Sequence, residues 1–232
     1  MNRIKILEIG DMQNGFTRED GNLYVPGAKD LISPANEFLR RVGNDVFDLV
    51  LVVLDTHFRE EYRESEEARQ FPLHCEYGTR DWELSIALPG LRNTRYLMKN
   101  NFSMWADPVQ RDLSFTDPAK KVAYENLFHI LDDPRDPTER TPRDEFLDAI
   151  NPGGASAEIE VILMGVASDY CNRYSMEGWL SLGARVTILQ DLTKGIGKET
   201  HEILSEDRYR RVVPDRLRAI GWKDHLREPA DA

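Results

Sequence analysis

Cys171 is the side chain of this sequence best suited to nucleophilic chemistry. It ends the segment Gly165-Val-Ala-Ser-Asp-Tyr-Cys171, which directly follows the apolar run at residues 159–164. The run predicts a buried strand, and the apolar spacing beyond it predicts a helix over residues 170–182. A thiol in the first turn of a helix lies near unpaired backbone N–H groups and the positive end of the helix dipole. Both favour a thiolate, and the N–H groups could hold an oxyanion. A buried cysteine that acts only as a small hydrophobic residue is equally compatible with this segment.

A second group of residues has the chemistry of a metal site. It comprises Asp55-Thr-His57, then Glu67, then His74. In an extended chain, residues i and i+2 share a face, so Asp55 and His57 reach one point, and the loop returns with His74 as a third ligand and Glu67 as a fourth. Two imidazoles and a carboxylate suit Zn²⁺ first, and also Fe²⁺ or Mn²⁺, better than Ca²⁺. Histidines that only form hydrogen bonds within a loop are the alternative. Two nearby carboxylates could replace Glu67: Glu64 and Glu66.

The elements that must position these residues alternate along the chain. Hydrophobic patterns predict strands at residues 4–9, 48–54, 122–124, 159–164 and 185–190. They predict helices at residues 28–42, 143–150, 170–182, 198–204 and 208–220. Alternation of this kind predicts an α/β fold of three layers, with a central, mainly parallel sheet between helices.

Several polar residues follow the predicted strands at the point where each strand ends. Asp11, Asp55, Glu125 and the segment that leads to Cys171 all occupy such positions. The carboxyl ends of parallel strands share one edge of a sheet, and ligands bind at that edge. The four elements are therefore expected to converge. Acidic residues also end strands and cap helices for purely structural reasons, so a chance placement is the alternative.

Three long segments are predicted to be loops: residues 56–73, 92–120 and 132–144. Long loops in a compact domain often act as lids or binding loops. The second contains Trp105, which either covers the pocket and contacts the substrate or lies in a subunit contact. No linker divides the chain, so we predict a single domain over residues 1–222 and a polar C-terminal tail at 223–232.

Composition excludes several classes of partner. The 232-residue chain carries a net charge of −11, which repels a nucleic-acid backbone. It has two cysteines, so no disulfide framework is implied, and a reducing, cytoplasmic compartment is expected. The first residues lack the apolar core of a signal peptide. No apolar stretch approaches the roughly 20 residues that a membrane helix needs, so no membrane partner is expected.

Four motifs together resemble the isochorismatase-like cysteine hydrolases, and within them the nicotinamidase branch. They are Asp11-Met-Gln-Asn-Gly-Phe16, Asp55-Thr-His57, Phe71-Pro-Leu-His-Cys-Glu-Tyr-Gly-Thr79 and Gly165-Val-Ala-Ser-Asp-Tyr-Cys171. Their order is that of the family, and the resemblance extends over residues 4–191. Four ordered motifs are far more specific than any one of them.

The resemblance implies a role for each matching residue. Cys171 matches the nucleophile, and Asp11 matches the acid that takes the thiol proton and returns it to the leaving amine. A cis peptide is implied between Val166 and Ala167, and Phe16 matches an aromatic wall of the substrate pocket. The amides of Ala167 and Cys171 match the oxyanion hole. The resemblance also implies a homo-oligomer and four metal ligands: Asp55, His57, His74 and Glu67. In the nicotinamidases the metal binds the pyridine nitrogen and orients the carboxamide.

The third catalytic residue of the family departs from the pattern. The family has a lysine at the end of the central strand, followed three residues later by an aromatic residue. With the strand at 122–124 and Phe128 as the aromatic residue, the matching position holds Glu125, and Lys121 fits only with a longer loop. Two close carboxylates, Asp11 and Glu125, would share a proton and weaken the nucleophile.

Two functions follow from these expectations. The first is a metal-assisted amidohydrolase that acts on a small aromatic or heterocyclic amide through a thioester on Cys171, with nicotinamide as the leading substrate. The alternative is a non-hydrolytic protein of the same fold that binds a metal or a small ligand and has lost catalysis through Glu125.

Overall fold

The chain folds around one eight-stranded sheet. The structure, a computed structural model, describes residues 2–107, 111–136, 138–150 and 157–227. The strands are β1 (Asn2–Gly10), β2 (Leu49–Asp55), β3 (Thr94–Lys99), β4 (His129–Leu131), β5 (Arg140–Pro142), β6 (Ala157–Val166), β7 (Arg185–Lys194) and β8 (Leu217–Ile220). Their order across the sheet is β5-β4-β3-β2-β1-β6-β7-β8. β4 and β5 are antiparallel to their neighbours, and every other pairing is parallel.

Helices cover both faces of the sheet, which confirms the three-layer α/β/α prediction. They are α1 (Asn14–Thr17), α2 (Ile32–Arg41), α3 (Arg59–Tyr62), α4 (Pro118–Glu125), α5 (Arg143–Ile150), α6 (Cys171–Ser181), α7 (Thr200–Leu204) and α8 (Trp222–His225), with short 3₁₀ turns at Ala28–Leu31 and Glu67–Arg69. On one face, Phe38 of α2 and Trp222 of α8 pack on the sheet. On the other face, Met176 and Trp179 of α6 do so.

The central strands are apolar because both of their faces are covered. All seven residues of β2 are buried, as expected for a parallel strand between two helical layers. β1 lies between β2 and β6 in parallel register. At its end, β1 approaches β6 so closely that a Cβ on Gly165 would lie 1.9 Å from the carbonyl oxygen of Gly10. Gly165 also has a φ of 120°, which residues with a side chain rarely adopt. The close approach and the backbone conformation therefore both require glycine at this position.

Two elements between residues 92 and 125 differ from prediction. The segment expected to be a loop contains β3, which pairs in parallel with β2. Residues 122–124, expected to be a strand, belong to α4. The carboxylate of Asp117 accepts a hydrogen bond from the N–H of Ala119, and Pro118 occupies the first turn. An N-cap aspartate followed by proline is a helix-start signal that outweighs three apolar residues.

Further differences lie near the C-terminus and at the sheet edge. The predicted helix at 208–220 is wrong, because β8 occupies its end and Pro214 interrupts the helical pattern. The expected loop at 132–144 contains β5. The polar tail was predicted from residue 223, but α8 extends through His225, which is buried against Phe38. Residues 228–232 of that tail lie outside the described part of the chain. Within the described ranges, no helix has the length and apolar character needed to cross a membrane.

Candidate active site and metal site

Three neighbouring strands end in charged residues that meet at one edge of the sheet. Asp11 follows β1, Asp55 ends β2 and Lys99 ends β3, where it lies directly beside Asp55 in the register. Asp11 has a φ of 51°, an unusual value for a residue other than glycine. All three side chains are at most 2 % exposed. The topology of the sheet therefore concentrates two carboxylates and an ammonium group at one buried point.

Lys99 is the centre of this group. Its Nζ lies 3.0 Å from Oδ2 of Asp11 and 3.1 Å from Oδ1 of Asp55. It also lies 3.5 Å from Sγ of Cys171, the first residue of α6. Asp11 and Cys171 also line one small cavity, and, besides burial, the carboxylate of Asp11 raises the pKa of the thiol. The structure thus brings a thiol and a carboxylate to the same buried cation.

Glu125 does not belong to this group, which corrects the prediction made from the sequence. Glu125 ends α4 on the protein surface, with its side chain 53 % exposed and 3.7 Å from the ammonium of Lys121. Lys121 is equally exposed, at 61 %. Glu125 was predicted to end a strand, and Lys121 was the less favoured alternative that needed a longer loop. Both residues belong to helix α4 instead, with exposed side chains.

Lys99 could have been found from the sequence. It ends the run Thr94-Arg-Tyr-Leu-Met-Lys99, and Phe102 follows three residues later. That is the lysine-then-aromatic spacing that the resemblance implies. The run gives only a weak strand signal because it starts with two polar residues, Thr94 and Arg95. Only its last three residues are fully buried.

Burial and charge set opposing protonation preferences in this group. Burial raises the pKa of Asp11 above its ordinary value, although the charge of Lys99 works in the opposite direction. Burial also raises the pKa of the Cys171 thiol well above its ordinary value, again against Lys99. For Lys99, burial lowers the pKa, but the carboxylates of Asp11 and Asp55 outweigh it and raise the pKa overall. The resting group therefore contains a charged lysine and a protonated thiol beside a carboxylate that can accept its proton.

The turn that precedes Cys171 lies against the end of β6. Val166 ends β6 and is fully buried, and the peptide bond between Val166 and Ala167 is cis. Ala167 is 6 % exposed, and its carbonyl accepts hydrogen bonds from the amides of Tyr170 and Asn172. Because Cys171 is the first residue of α6, its own N–H is one that a helix leaves without an internal partner.

The predicted metal ligands form a compact buried cluster beside this group. Asp55, His57, Glu67 and His74 each offer a ligand atom, and these atoms all lie within 4.8 Å of one another. Oδ2 of Asp55 is 3.0 Å from Nε2 of His57 and 2.9 Å from Nε2 of His74. The carboxylate of Glu67 lies 3.6 Å and 3.5 Å from the same two nitrogens. Both alternatives to Glu67 are exposed: Glu64, which pairs with Arg111, and Glu66.

The cluster has the chemistry that a transition-metal ion requires. Nδ1 of His74 lies 2.8 Å from the carbonyl oxygen of Pro72, so an N–H there leaves the lone pair of Nε2 directed at the carboxylates. Oε2 of Glu67 is buried without a hydrogen-bond partner. Burial lowers the pKa of His74, but Asp55 and Glu67 outweigh it and raise the pKa to about 10. The two carboxylates therefore demand a positive charge, and a two-nitrogen, two-oxygen donor set suits Zn²⁺.

Aromatic rings surround the two sites. Phe16 lies in α1 with its ring 5.1 Å from that of His74, beside the predicted metal site. The ring centroid of Phe102 lies 6.0 Å from that of Phe71 and 5.2 Å from that of Tyr170. These three rings connect the chain segments next to His74, Lys99 and Cys171. Trp105, predicted to cover the pocket or lie in a subunit contact, packs against α6. Its ring lies 5.0 Å from Trp179, and its Nε1 donates to the carbonyl of Ser175.

A further carboxyl group, absent from the sequence prediction, lies behind the nucleophile. Glu8 of β1 is 1 % exposed and accepts hydrogen bonds from the Ser175 hydroxyl and the Trp179 indole of α6. Burial raises its pKa from the ordinary value of 4.5 to about 7, although the two hydrogen bonds act to lower the pKa. Nothing in the sequence distinguished it, because one acidic residue within an apolar strand has no periodic signature.

Glu8 should make the protein less stable as the pH rises. Above pH 4.5 the unfolded chain releases this proton, whereas the folded chain keeps it until about pH 7. Stability contributed by the neutral carboxyl is therefore lost across that window. Relative to Glu8→Gln, the wild type should lose about 2 to 3 kcal/mol of unfolding free energy between pH 5 and pH 8. Urea unfolding at both pH values measures this, with the surface variant Glu125→Gln as control. An unchanged difference between wild type and Glu8→Gln would contradict the assignment.

Comparisons with known proteins show which family and which folds this chain resembles. Residues 6–114 match the model of the isochorismatase domain family. The nicotinamidase of Saccharomyces cerevisiae is 24 % identical over 215 residues, which cover 86 % of this chain and 92 % of the yeast protein. The zinc complex of Pyrococcus horikoshii pyrazinamidase superposes with a TM-score of 0.60 at 22 % identity, over 94 % of this chain and 98 % of that one. The nicotinamidase/pyrazinamidase of Bacillus subtilis superposes with a TM-score of 0.58 at 20 % identity, over 94 % of this chain and 100 % of that one.

Proposed function

We propose that this chain, which matches the isochorismatase domain family over residues 6–114 and resembles the nicotinamidases, is a cysteine-dependent, metal-assisted amidohydrolase of that family. Its substrate would be a small aromatic or heterocyclic amide, with nicotinamide hydrolysed to nicotinate and ammonia as the leading reaction. The named relatives are nicotinamidases and pyrazinamidases, which supports this substrate class.

One observation carries the proposal: the buried contact of Lys99 with Asp11 and Cys171 at the ends of three strands. A carboxylate beside a thiol can take its proton, and an adjacent ammonium group stabilises the charge that results. Thiol, carboxylate and lysine are a nucleophile, its base and an electrostatic partner.

The reaction can be written from these residues alone. Asp11 accepts the thiol proton while Sγ of Cys171 bonds to the carboxamide carbon, and the carbonyl electron pair moves to oxygen. The amides of Ala167 and Cys171 are the proposed donors to that oxyanion. Collapse breaks the C–N bond, Asp11 gives its proton to the departing nitrogen, and ammonia leaves a thioester. Asp11 then takes a proton from water, whose oxygen bonds to the thioester carbon. As the carbonyl re-forms, the C–S bond breaks, the carboxylic acid product leaves, and Asp11 returns the proton to the sulfur of Cys171.

Burial of Asp11 suits this role in both directions. A carboxyl whose pKa lies above its ordinary value holds the thiol proton more firmly once it has been transferred, so it can deliver that proton to the leaving nitrogen. The charge of Lys99 favours the ionised carboxylate of Asp11 and limits the rise in its pKa. Asp11 can therefore still act as a base.

Four residues would hold the metal beside this group: Asp55, His57, Glu67 and His74. A divalent ion bound there, with Zn²⁺ as the preferred ion, would accept an electron pair from a ring nitrogen of the substrate. Asp55 contacts both Lys99 and the two histidines, so it links the metal cluster to the nucleophile. Phe16, beside His74, is proposed to form a wall for the substrate ring.

The non-hydrolytic alternative loses its basis in this structure. It depended on a glutamate in place of the lysine, and Lys99 supplies the cation that Glu125 was expected to have replaced.

Ammonia release tests the proposal. We expect zinc-supplemented protein to hydrolyse nicotinamide and pyrazinamide much faster than benzamide, which has the same carboxamide without a ring nitrogen. Equal rates on all three would contradict a role of the metal in holding the ring. Stoichiometric metal with no turnover on any aromatic or heterocyclic amide would contradict the proposed activity.

Removal of a metal ligand should abolish both metal binding and turnover. His74→Ala removes one nitrogen donor and leaves two carboxylates facing each other, so we expect bound zinc to fall from one per chain to near zero. Activity should fall by about 10²-fold or more. Metal content by mass spectrometry and ammonia release measure the two effects. The matched control is His201→Ala, since His201 is exposed on α7. Full zinc content in His74→Ala would overturn the ligand assignment.

A further inference from the structure

We propose that Glu8 is a buried positioning residue of the active site, whose charge sets the pH range over which the Cys171 thiol is reactive. This inference rests on the proposed function for its biological meaning. Its test reads the thiol directly, so it stands or falls separately from amide hydrolysis.

Glu8 shares a small cavity with the proposed nucleophile. The cavity has a volume of about 10 Å³, and its walls include Glu8, Asp11, Lys99, Cys171 and Ser175. That volume is at the lower limit for one water molecule, so the charges in its walls interact with little screening by solvent. Ser175 lies one helical turn beyond Cys171 on α6, which places the Glu8 carboxyl beneath the thiol.

The hydrogen bonds of Glu8 can adapt to either protonation state. When the carboxyl is ionised, the Ser175 hydroxyl donates to one oxygen and the Trp179 indole to the other. The indole can only donate, so an added proton must reside on the oxygen that faces Ser175. That O–H then donates to Ser175 Oγ, and the Ser175 hydroxyl can turn towards Met104 Sδ, 3.9 Å away. Glu8, Ser175 and Trp179 keep their hydrogen bonds in both protonation states of the Glu8 carboxyl. Glu8 can therefore gain or lose its proton with no change beyond rotation of the Ser175 hydroxyl.

The charged groups that face Glu8 belong to the proposed catalytic group. Beside it in the sheet, β2 and β6 present Leu51 and Leu163, which carry no charge. The remaining neighbours are Asp11 after β1, Lys99 at the end of β3 and Cys171 of α6. Asp11 opposes ionisation of Glu8, Lys99 favours it, and burial, which opposes it, is the largest influence. An ionised Glu8 therefore adds a third carboxylate around one lysine.

A third negative charge should suppress the thiolate. With Glu8 neutral, Lys99 balances Asp11 and Asp55 only in part, and a thiolate beside it is already opposed by two carboxylates. Ionised Glu8 adds to that opposition at the same buried point. As the pH rises, the ionised fraction of the Cys171 thiol increases. The negative charge that appears on Glu8 then partly cancels this increase.

The rate of Cys171 alkylation by iodoacetamide, measured against pH, tests the proposal. Zinc-loaded wild type and Glu8→Gln are compared from about pH 5.5 to about pH 9. The Cys171→Ala protein corrects for any reaction at Cys75, which is buried. Glutamine imitates the neutral carboxyl in size and hydrogen bonding. We expect equal rates in the two proteins at low pH, a shallower rise through neutrality in wild type, and about tenfold faster alkylation of Glu8→Gln at high pH.

Two results would overturn the proposal. A constant ratio between the two proteins at every pH would show that Glu8 only braces α6 against β1. Identical rates throughout would show that its charge does not reach the thiol. Should Glu8→Gln fail to fold, infrared spectroscopy of wild type labelled with ¹³C-glutamate gives the same decision. The proposal expects a protonated carboxylic acid band that disappears near neutrality, and the absence of such a band at pH 6 contradicts it.

Discussion

Cys171→Ala should reduce kcat/KM for nicotinamide by at least about 10⁴-fold while leaving the fold and the bound metal in place. The reason is chemical, because Asp11 and Lys99 without sulfur have no atom with which to form the covalent bond. Cys171 is partly accessible at the start of α6, and alanine is an excellent helix former, so we expect little change in stability. Ammonia release, zinc content and thermal unfolding give the three measurements.

Cys75→Ala is the matched control for that loss. Cys75 is the other cysteine of the chain, fully buried, and burial raises its pKa well above the ordinary value. Its Sγ contacts the carbonyl of Asp81 and has no counterpart to the Lys99–Asp11 pair. We expect Cys75→Ala to retain activity within a few-fold, at a modest cost in stability. Activity in Cys171→Ala comparable to that of wild type would remove the thioester from the mechanism.

Lys99→Met should reduce kcat/KM by about 10³-fold, which is the second largest effect that we expect. Methionine has a similar length and no charge, so Asp11 and Asp55 would face each other without the cation that separates them. One of the two would then take up a proton at neutral pH, and the thiol would lose both its base and its electrostatic partner. Removal of one partner from a buried ionic group also costs about 3 kcal/mol of unfolding free energy, so activity is compared at a temperature where the variant remains folded.

Glu125→Gln distinguishes this result from the arrangement expected from the sequence. Glu125 is exposed on α4 and pairs loosely with Lys121, so its substitution should change kcat/KM by less than about twofold. The pair of variants is decisive because each hypothesis predicts a loss in only one of them. A large loss in Glu125→Gln, with an active Lys99→Met protein, would contradict the position of Lys99 at the site.

Motif order was sufficient to predict most of the site. Asp11, Asp55 and Cys171 lie at or shortly after the ends of strands, and parallel strands place their carboxyl ends at one edge whatever the details of packing. His57 and His74 lie in the connection that follows β2, and their motifs identified them. Local spacing also placed α2, β2 and α6 close to their observed bounds, because their apolar patterns are long and regular.

The folded chain identified the cation beside the thiol, and it alone showed what lies behind the thiol. β3 begins with three half-buried residues, so its burial pattern is visible only once β2 and β4 are in place on either side. Glu8 and Ser175 are 167 residues apart in the chain, and no local pattern links them. The identity of residues at strand ends is a local property that the sequence alone determines. Whether two charges share a buried point depends on the packing of distant segments, which only the tertiary structure decides.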